Sequence, residues 1–399
     1  MSVIAERIQK IKPSPTLALS AKAGEMQRQG LNVLNLTVGE PDFDTPVNIK
    51  NAANVAIAQG KTKYTAVDGI IELKEAICHK FKRENNLDFK TSQITVGNGG
   101  KQVAYNCMMA TVNKGDEAII PAPFWVSYPE MVALAEGTPV IVPCSIESDF
   151  KITPKLLAEA ITNNTKWLIL CSPSNPTGSV YSKEELERLA QVLRQYPQVH
   201  IFSDDIYEHI IYDQAFYNLA QAAPDLTSRI FIMNGMAKAY AMTGWRMGYG
   251  AGNIEIIKAM GIIQSQSTSN PCTISQYAAL EALNGTQDFI PTNCAMFKNK
   301  RDLVISMLKD IKGLTYNIPG GAFYVFVGCE SFIGKKSPSG QVINNDTDFC
   351  QYLLTDALVA VVPGSSFGLD GYFRISYATS EPILQDALTR IKKACANLA

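Results

Sequence analysis

Several absences narrow the reading first. No run of 18 consecutive apolar residues occurs, so no membrane-spanning helix is expected. The N-terminal "MSVIAERIQKIKPSP" mixes both charges early and lacks the apolar core of a secretory signal. The 9 cysteines are scattered and odd in number, with no C-x-x-C pair, which argues against a disulfide framework and for reduced thiols in a cytoplasmic protein. There are only 3 histidines; His79 is remote from His200 and His209, and those two lack ligand spacing, so no metal centre is expected. Neither charge sign dominates: 36 Lys+Arg against 37 Asp+Glu leave a net charge of -1, and nothing in that balance argues for a nucleic-acid surface or an acidic tail. Repeats and low-complexity tracts are absent too.

What is present is a chain of 399 residues, too long for one simple core, with an ordinary 46% hydrophobic and 18% charged content. Ile70, Leu73, Ile77 and Phe81 recur at helical spacing over 69–84. "QITVGNGG" (93–100) reads as a strand entering glycines, with a helix over about 100–113 to follow. Strands also read in 117–137, "TPVIVPC", "KWLILCSPSNPTG", "VHIFSDDIYEHI" and "SRIFIMNGMAK". Thr153 before Pro154 marks one helix start, and Ser182 with Glu185 forms a capping box at another. Strand and helix alternating in this way predict an α/β fold with a mostly parallel sheet covered on both faces. The final hundred residues instead show an α+β pattern. The expected division is 1–45 as an N-terminal segment joining the small domain, 46–290 as the large domain and 291–399 as the small domain.

Ligands of open α/β sheets bind at the carboxyl ends of strands, so the polar strand-end loops are the places to search. In "VGNGGKQ", Gly99, Gly100 and Lys101 form either a phosphate cradle at a helix N-terminus or only a glycine-rich turn. Neither G-x-G-x-x-G nor a P-loop is present, which counts against a nicotinamide dehydrogenase. Asn175 in "SPSNPTG" also suits a plain Asn-Pro turn. In "SDDIYE", Asp204 and Ile206 face one side and Asp205 and Tyr207 the other, unless the strand has ended; a helix cap is the alternative. Lys238 in "NGMAKAYAMTGWRM" lies among small and apolar residues, eight positions before Arg246. A desolvated lysine near a second cation has a depressed pKa and can form a Schiff base; a packed stem with a snorkelling head is the alternative. Arg374 in "YFRISYAT" needs a carboxylate, either internal or from a substrate.

Each motif is modest alone, but their order is specific. From "IKPSPT" through "GEPDFDTP", "KYTAVDGI" and "SPSNPTG" to "YATSE", essentially the whole chain resembles the fold-type-I pyridoxal-phosphate aminotransferases, in the bacterial branch of aspartate and aspartate/prephenate enzymes. The resemblance implies a seven-stranded-type sheet in a large cofactor domain and a homodimer with active sites at the interface. Lys238 would hold pyridoxal 5'-phosphate and later move the substrate Cα proton. Asp204 would pair with the ring nitrogen, and Asn175 and Tyr207 would bond its phenolic oxygen. Trp125 would stack on the ring. Arg246, Gly99, Gly100 and Lys101 would hold the phosphate, joined by Tyr64 from the partner subunit. Arg374 would take the substrate α-carboxylate, with Gly39, Trp125 and Asn175 lining that pocket.

Two departures from the family pattern stand out. Gly235 and Ala237 occupy positions where many relatives carry a phosphate-binding serine. "IIQSQSTSN", which corresponds to a segment bearing a substrate-binding arginine elsewhere, has none, leaving Lys101 and Lys12 as candidate cations for a distal carboxylate. The implied activity is transamination of aspartate with 2-oxoglutarate, with prephenate to arogenate as a second activity. An aminotransferase for aromatic, alanine or kynurenine-type substrates is the alternative, and a non-catalytic cofactor-binding module the rival from another class.

Overall fold

The computed structural model describes residues 3–9, 11 and 15–399. The strands among these residues are β1 (Leu34–Asn35), β2 (Ile94–Asn98), β3 (Glu117–Ala122), β4 (Thr138–Pro143), β5 (Thr165–Cys171), β6 (His200–Asp204), β7 (Ile230–Gly235), β8 (Met247–Ala251), β9 (Thr315–Tyr316), β10 (Tyr324–Gly328), β11 (Val359–Ala360), β12 (Val362–Pro363) and β13 (Tyr372–Ser376). Seven of them form one sheet in the order β2-β8-β7-β6-β5-β3-β4. All its neighbours pair in parallel except β8, which is antiparallel to both β2 and β7.

The near-continuous apolar strands are those of a sheet buried on both faces. Period-two alternation divides them: Leu168 and Leu170 enter one core, Trp167 and Ile169 the other. On β7, Ile230 and Ile232 face the first core, and Phe231 and Met233 the second. The expected helices appear as Ile71–Asn85 and Gly100–Thr111. Thr153 caps Pro154–Ala160 through its side chain, and Ser182 and Glu185 complete a reciprocal capping box on Lys183–Leu193.

Beyond the large sheet, β12-β13-β10-β9 form an antiparallel sheet, with Arg374 opposite Phe326 and Val362. The N-terminal segment returns to this C-terminal part of the chain, where β1 pairs in parallel with β11. No helix of the described residues is long and apolar enough to cross a membrane.

Strand β8 carries little strand signal in its sequence "MGYGA", yet it sets the geometry of the site. Its pairing places Met247 opposite Asn98 and Gly248 opposite Gly97. The stretch 236–246 therefore runs from the carboxyl end of β7 to the carboxyl end of β2. Gly248 lies against the turn that follows β2: an added Cβ would sit 2.3 Å from Gly100 N and 2.5 Å from the Gly99 carbonyl carbon. Gly248→Ala is thus expected to cost about 1–3 kcal/mol, because the obstacle is backbone and no rotamer relieves it; a lower denaturant midpoint at unchanged slope would show this.

Candidate active site

Five loops converge at the carboxyl edge of the large sheet. Strand β6 ends at Asp204, so the alternation expected through Tyr207 stops there. Asp204 is 3% exposed and accepts hydrogen bonds from the Tyr128 hydroxyl and from Ile206 N–H. Asp205 turns away, accepting from Ser203 Oγ at 2.6 Å and Asn218 Nδ2 at 2.9 Å. Burial lifts the Asp204 carboxyl to about 6, even though Tyr128, Ile206 N–H and Lys238 pull it down. Such a carboxylate is set up for a cationic partner.

Lys238 donates to the Gly39 carbonyl at 2.5 Å, and its Nζ lies 5.6 Å from the Tyr207 ring centroid and 5.9 Å from that of Phe323. Burial, and next the Arg374 charge, bring its pKa down to about 8; Glu40 and Asp204 oppose that shift, and Arg246 adds to it. The sequence-level expectation of a desolvated lysine near a second cation therefore has a geometric basis, with Arg374 the larger influence. A folded pKa below the usual 10.5 means that the folded chain binds this proton less tightly than the unfolded chain does. The site therefore costs stability, on the order of 3 kcal/mol below pH 8, and the cost fades as pH rises towards 10.5.

Arg374 is 3% exposed. It donates to Asn175 Oδ1 at 2.8 Å and to the Thr37 carbonyl at 2.5 Å, and its guanidinium carbon lies 4.5 Å from the Tyr324 ring centroid. Its Nε is buried without a hydrogen-bond partner, and among the described residues no carboxylate pairs with it. The internal acid that a buried guanidinium ordinarily requires is thus absent among them. Tyr207 meets Tyr324 hydroxyl to hydroxyl at 2.9 Å. Burial and Tyr324 push the Tyr207 phenol well above its ordinary range, which keeps it a neutral hydrogen-bonding group.

Arg246 adopts a left-handed backbone conformation, φ 55°, a strained state for a non-glycine residue. Among the described residues its exposed guanidinium bonds carbonyls alone, Thr243 O at 2.9 Å and Asn98 O at 3.4 Å, and packs on Gly99. Gly99, at φ 82°, precedes the helix Gly100–Thr111, so its turn places free backbone N–H groups beside a guanidinium. Lys101 lies 5.1 Å from the Trp125 ring centroid, and partial burial and Arg246 hold its pKa below the usual value. Gly235 explains one departure from the family pattern: a Cβ there would sit 2.8 Å from Met247 O and 2.9 Å from Gly248 Cα, so a serine does not fit. Tyr64 is 88% exposed in its own chain. Lys12 lies outside the described residues.

Tyr128, Tyr324 and Phe323 were not singled out from the sequence. Tyr128 opens the helix Tyr128–Leu134, three residues after Trp125 in "FWVSYP", where nothing local marks it apart from core. Tyr324 opens the apolar strand β10 and Phe323 directly precedes it, in a pattern that does not distinguish either from core. This donor set suits a phosphorylated aromatic aldehyde with a basic ring nitrogen: a low-pKa amine, a buried carboxylate, neutral phenols, and two guanidiniums without acid partners among the described residues.

The low amine pKa gives a direct test. Only the free amine reacts with a neutral acylating reagent, so labelling of Lys238 is expected to rise with pH around a midpoint of about 8, where a solvated lysine would need about 10.5. Competitive labelling read by mass spectrometry measures this, and a midpoint above 10 would overturn the assignment.

A family model described as aminotransferase class I and II matches residues 32–391. The chain is 59% identical over 396 residues to a probable aspartate/prephenate aminotransferase of Rickettsia prowazekii, covering 99% of each. It is 55% identical to the aspartate/prephenate aminotransferase of Cereibacter sphaeroides, covering 100% of each. The crystal structure of the aspartate aminotransferase from Rhizobium meliloti superposes with a TM-score of 0.97 at 51% identity, covering 100% of both chains. That of Thermus thermophilus aspartate aminotransferase with maleate superposes with 0.92 at 44% identity, covering 99% of this chain and 100% of the other. Sequence, fold and strand-end geometry lead to one conclusion: this chain belongs to the class I and II aminotransferases, and it is an aminotransferase.

Proposed function

We propose that the enzyme is a pyridoxal 5'-phosphate-dependent transaminase that exchanges an amino group between L-aspartate and 2-oxoglutarate, giving oxaloacetate and L-glutamate. The observation that carries this reading is the Lys238 amine held on the Gly39 carbonyl over the Tyr207 ring, in one site with a buried Arg374 that no carboxylate of the described residues pairs with. When bound, the cofactor supplies an electron sink for the pair of electrons left as the substrate loses its Cα proton. The protein supplies the rest. Lys238 offers the amine that holds the cofactor and, once free, moves the Cα proton. Asp204 keeps the ring nitrogen protonated, at the position where burial has already raised its carboxyl pKa to about 6. Tyr207 and Asn175 would bond the ring oxygen, and Trp125 would cover the ring.

Arg246, Gly99, Gly100 and Lys101 take the phosphate; with Gly235 unable to carry a side chain, the guanidinium bears more of that load. Arg374 binds the α-carboxylate as a bidentate pair, in the pocket with Gly39 and Asn175. Lys101 and Lys12 are the proposed cations for the distal carboxylate. The maleate held by the Thermus thermophilus relative, itself a dicarboxylate, supports that substrate class. Relatives named aspartate/prephenate aminotransferase support prephenate as a second amino acceptor.

The same reading includes a cytoplasmic homodimer, with Tyr64 of one protomer reaching the phosphate in its partner; the 88% exposure of Tyr64 supports this. It also treats 46–290 as the cofactor domain, and 291–399 with 1–45 as the smaller one.

A half-reaction screen tests the substrate. Aspartate and glutamate are expected to bleach the visible band of the purified holoenzyme, and 2-oxoglutarate, oxaloacetate and prephenate to restore it. Reaction with alanine or phenylalanine but not aspartate would sink the assignment. Lys238→Ala should lower turnover by about 10⁴-fold and remove the band. Arg374→Lys should raise the aspartate KM about 10- to 100-fold, because a point charge cannot reproduce the bidentate fork. Unchanged aspartate turnover after Lys101→Ala combined with Lys12→Ala would remove the proposed basis for dicarboxylate binding.

A further inference from the structure

Behind the site lies a second group of charged side chains that the proposed chemistry does not use. Lys80, on the helix Ile71–Asn85, is fully buried. Its ammonium ion-pairs with Glu208, donates to Asn85 Oδ1 at 2.8 Å and stands 3.4 Å from Glu84. Glu208, 6% exposed, accepts from Asn234 Nδ2 at 2.6 Å and from Asn85 Nδ2 at 3.1 Å. His209 closes the group on Glu84 at 2.9 Å. Burial would raise the Glu208 carboxyl, but Lys80 and His209 more than offset it and hold it below the usual range. Glu84, Glu208 and His209 have ligand atoms within 4.8 Å of one another, as a metal site would. The Lys80 ammonium lies against both carboxylates, so the cluster already has its cation.

The location of this group gives it a role. Glu208 directly follows Tyr207, and Asn234 ends one residue before Gly235 and four before Lys238. The Glu208–Asn234 bond therefore ties the strand-end loop carrying Asp204 and Tyr207 to the one carrying Lys238. Asn234 Oδ1 also accepts from Gly235 N–H at 2.7 Å, and Asp205 N–H donates to Met233 O at 2.9 Å. No buried side-chain atom of Lys80, Glu84, Asn85, Glu208 or Asn234 lacks a partner. An apolar pair could fill this volume without loss of stability, but it would not set direction. We infer that Lys80 and Glu208 form a positioning pair that acts through Asn234 on the Lys238 backbone, fixing that amine relative to Arg374, Arg246, Glu40 and Asp204, the charges facing it.

The inference rests on Lys238 being the reactive amine, so its test must stand apart from turnover. Competitive acylation of cofactor-free protein gives the Lys238 midpoint in wild type, Asn234→Ala, Lys80→Met and the double variant Lys80→Met with Glu208→Gln. In Asn234→Ala and Lys80→Met the midpoint is expected to move up from about 8 towards 10.5 as the amine leaves its pocket. In the holoenzymes kcat should fall about 100-fold with the aspartate KM unchanged. In the double variant the neutral amide that replaces the Glu208 carboxylate still accepts from Asn234, so both readouts should return most of the way. A wild-type midpoint and kcat in Asn234→Ala and Lys80→Met, with only a lower melting temperature, would mean that the group is merely structural and overturn the inference; so would a double variant as impaired as Lys80→Met. Should Lys80→Met not fold, Asn234→Ala and the double variant decide between the same outcomes. Loss of the Lys238 role itself would show separately, as turnover retained in Lys238→Ala.

Discussion

The structure is organised around keeping one lysine amine largely out of water beside a guanidinium. Left to itself, Lys238 would snorkel to solvent and recover its ordinary pKa. Instead its Nζ is held on the Gly39 carbonyl, above the Tyr207 ring, with Arg374 the strongest charge acting on it. The cost to stability is carried by the two cores on either face of the seven-stranded sheet. Local destabilisation at a functional site, compensated elsewhere, is the usual trade between activity and stability.

The remaining geometry follows from sheet topology. Six strands run one way, and their carboxyl ends present Asn98, Ala122, Cys171, Asp204 and Gly235 along one edge, with β4 outermost. The reversed strand β8 starts from that same edge, so Arg246 comes to the glycine turn after β2 rather than to the far side of the sheet. The close approach of β7 and β8 leaves no room for a side chain at Gly235. The missing serine is thus a consequence of one backbone contact. Arg374 reaches the site from a different sheet, where β13 runs between β10 and β12.

Much of the fold was legible beforehand because its signals are local. Apolar runs of strand length, the cap at Thr153, the capping box at Ser182 and the glycines after "QITV" each act within a few residues. Strand β8 escaped notice because "MGYGA" is short, and its two glycines carry no β-propensity signal. Tyr128, Tyr324 and the Lys80–Glu208 group escaped for another reason. Their partners are far away in sequence, 76 residues between Tyr128 and Asp204 and 117 between Tyr207 and Tyr324, and no periodicity encodes such pairings.

The sequence by itself determined the alternation of strands and helices, the glycine turn, and the identity and order of the strand-end residues, because these depend on backbone propensity and short-range spacing. It left open whether Arg374 had an internal acid, which way Asp204 and Asp205 faced, and why Gly235 and Ala237 replace serine. Tertiary structure decided the first two and the glycine, through long-range packing: among the described residues no carboxylate meets Arg374, β6 stops at Asp204, and β8 presses against Gly235. Those outcomes depend on which segments lie side by side, and that is set only when the whole sheet has closed around its cores.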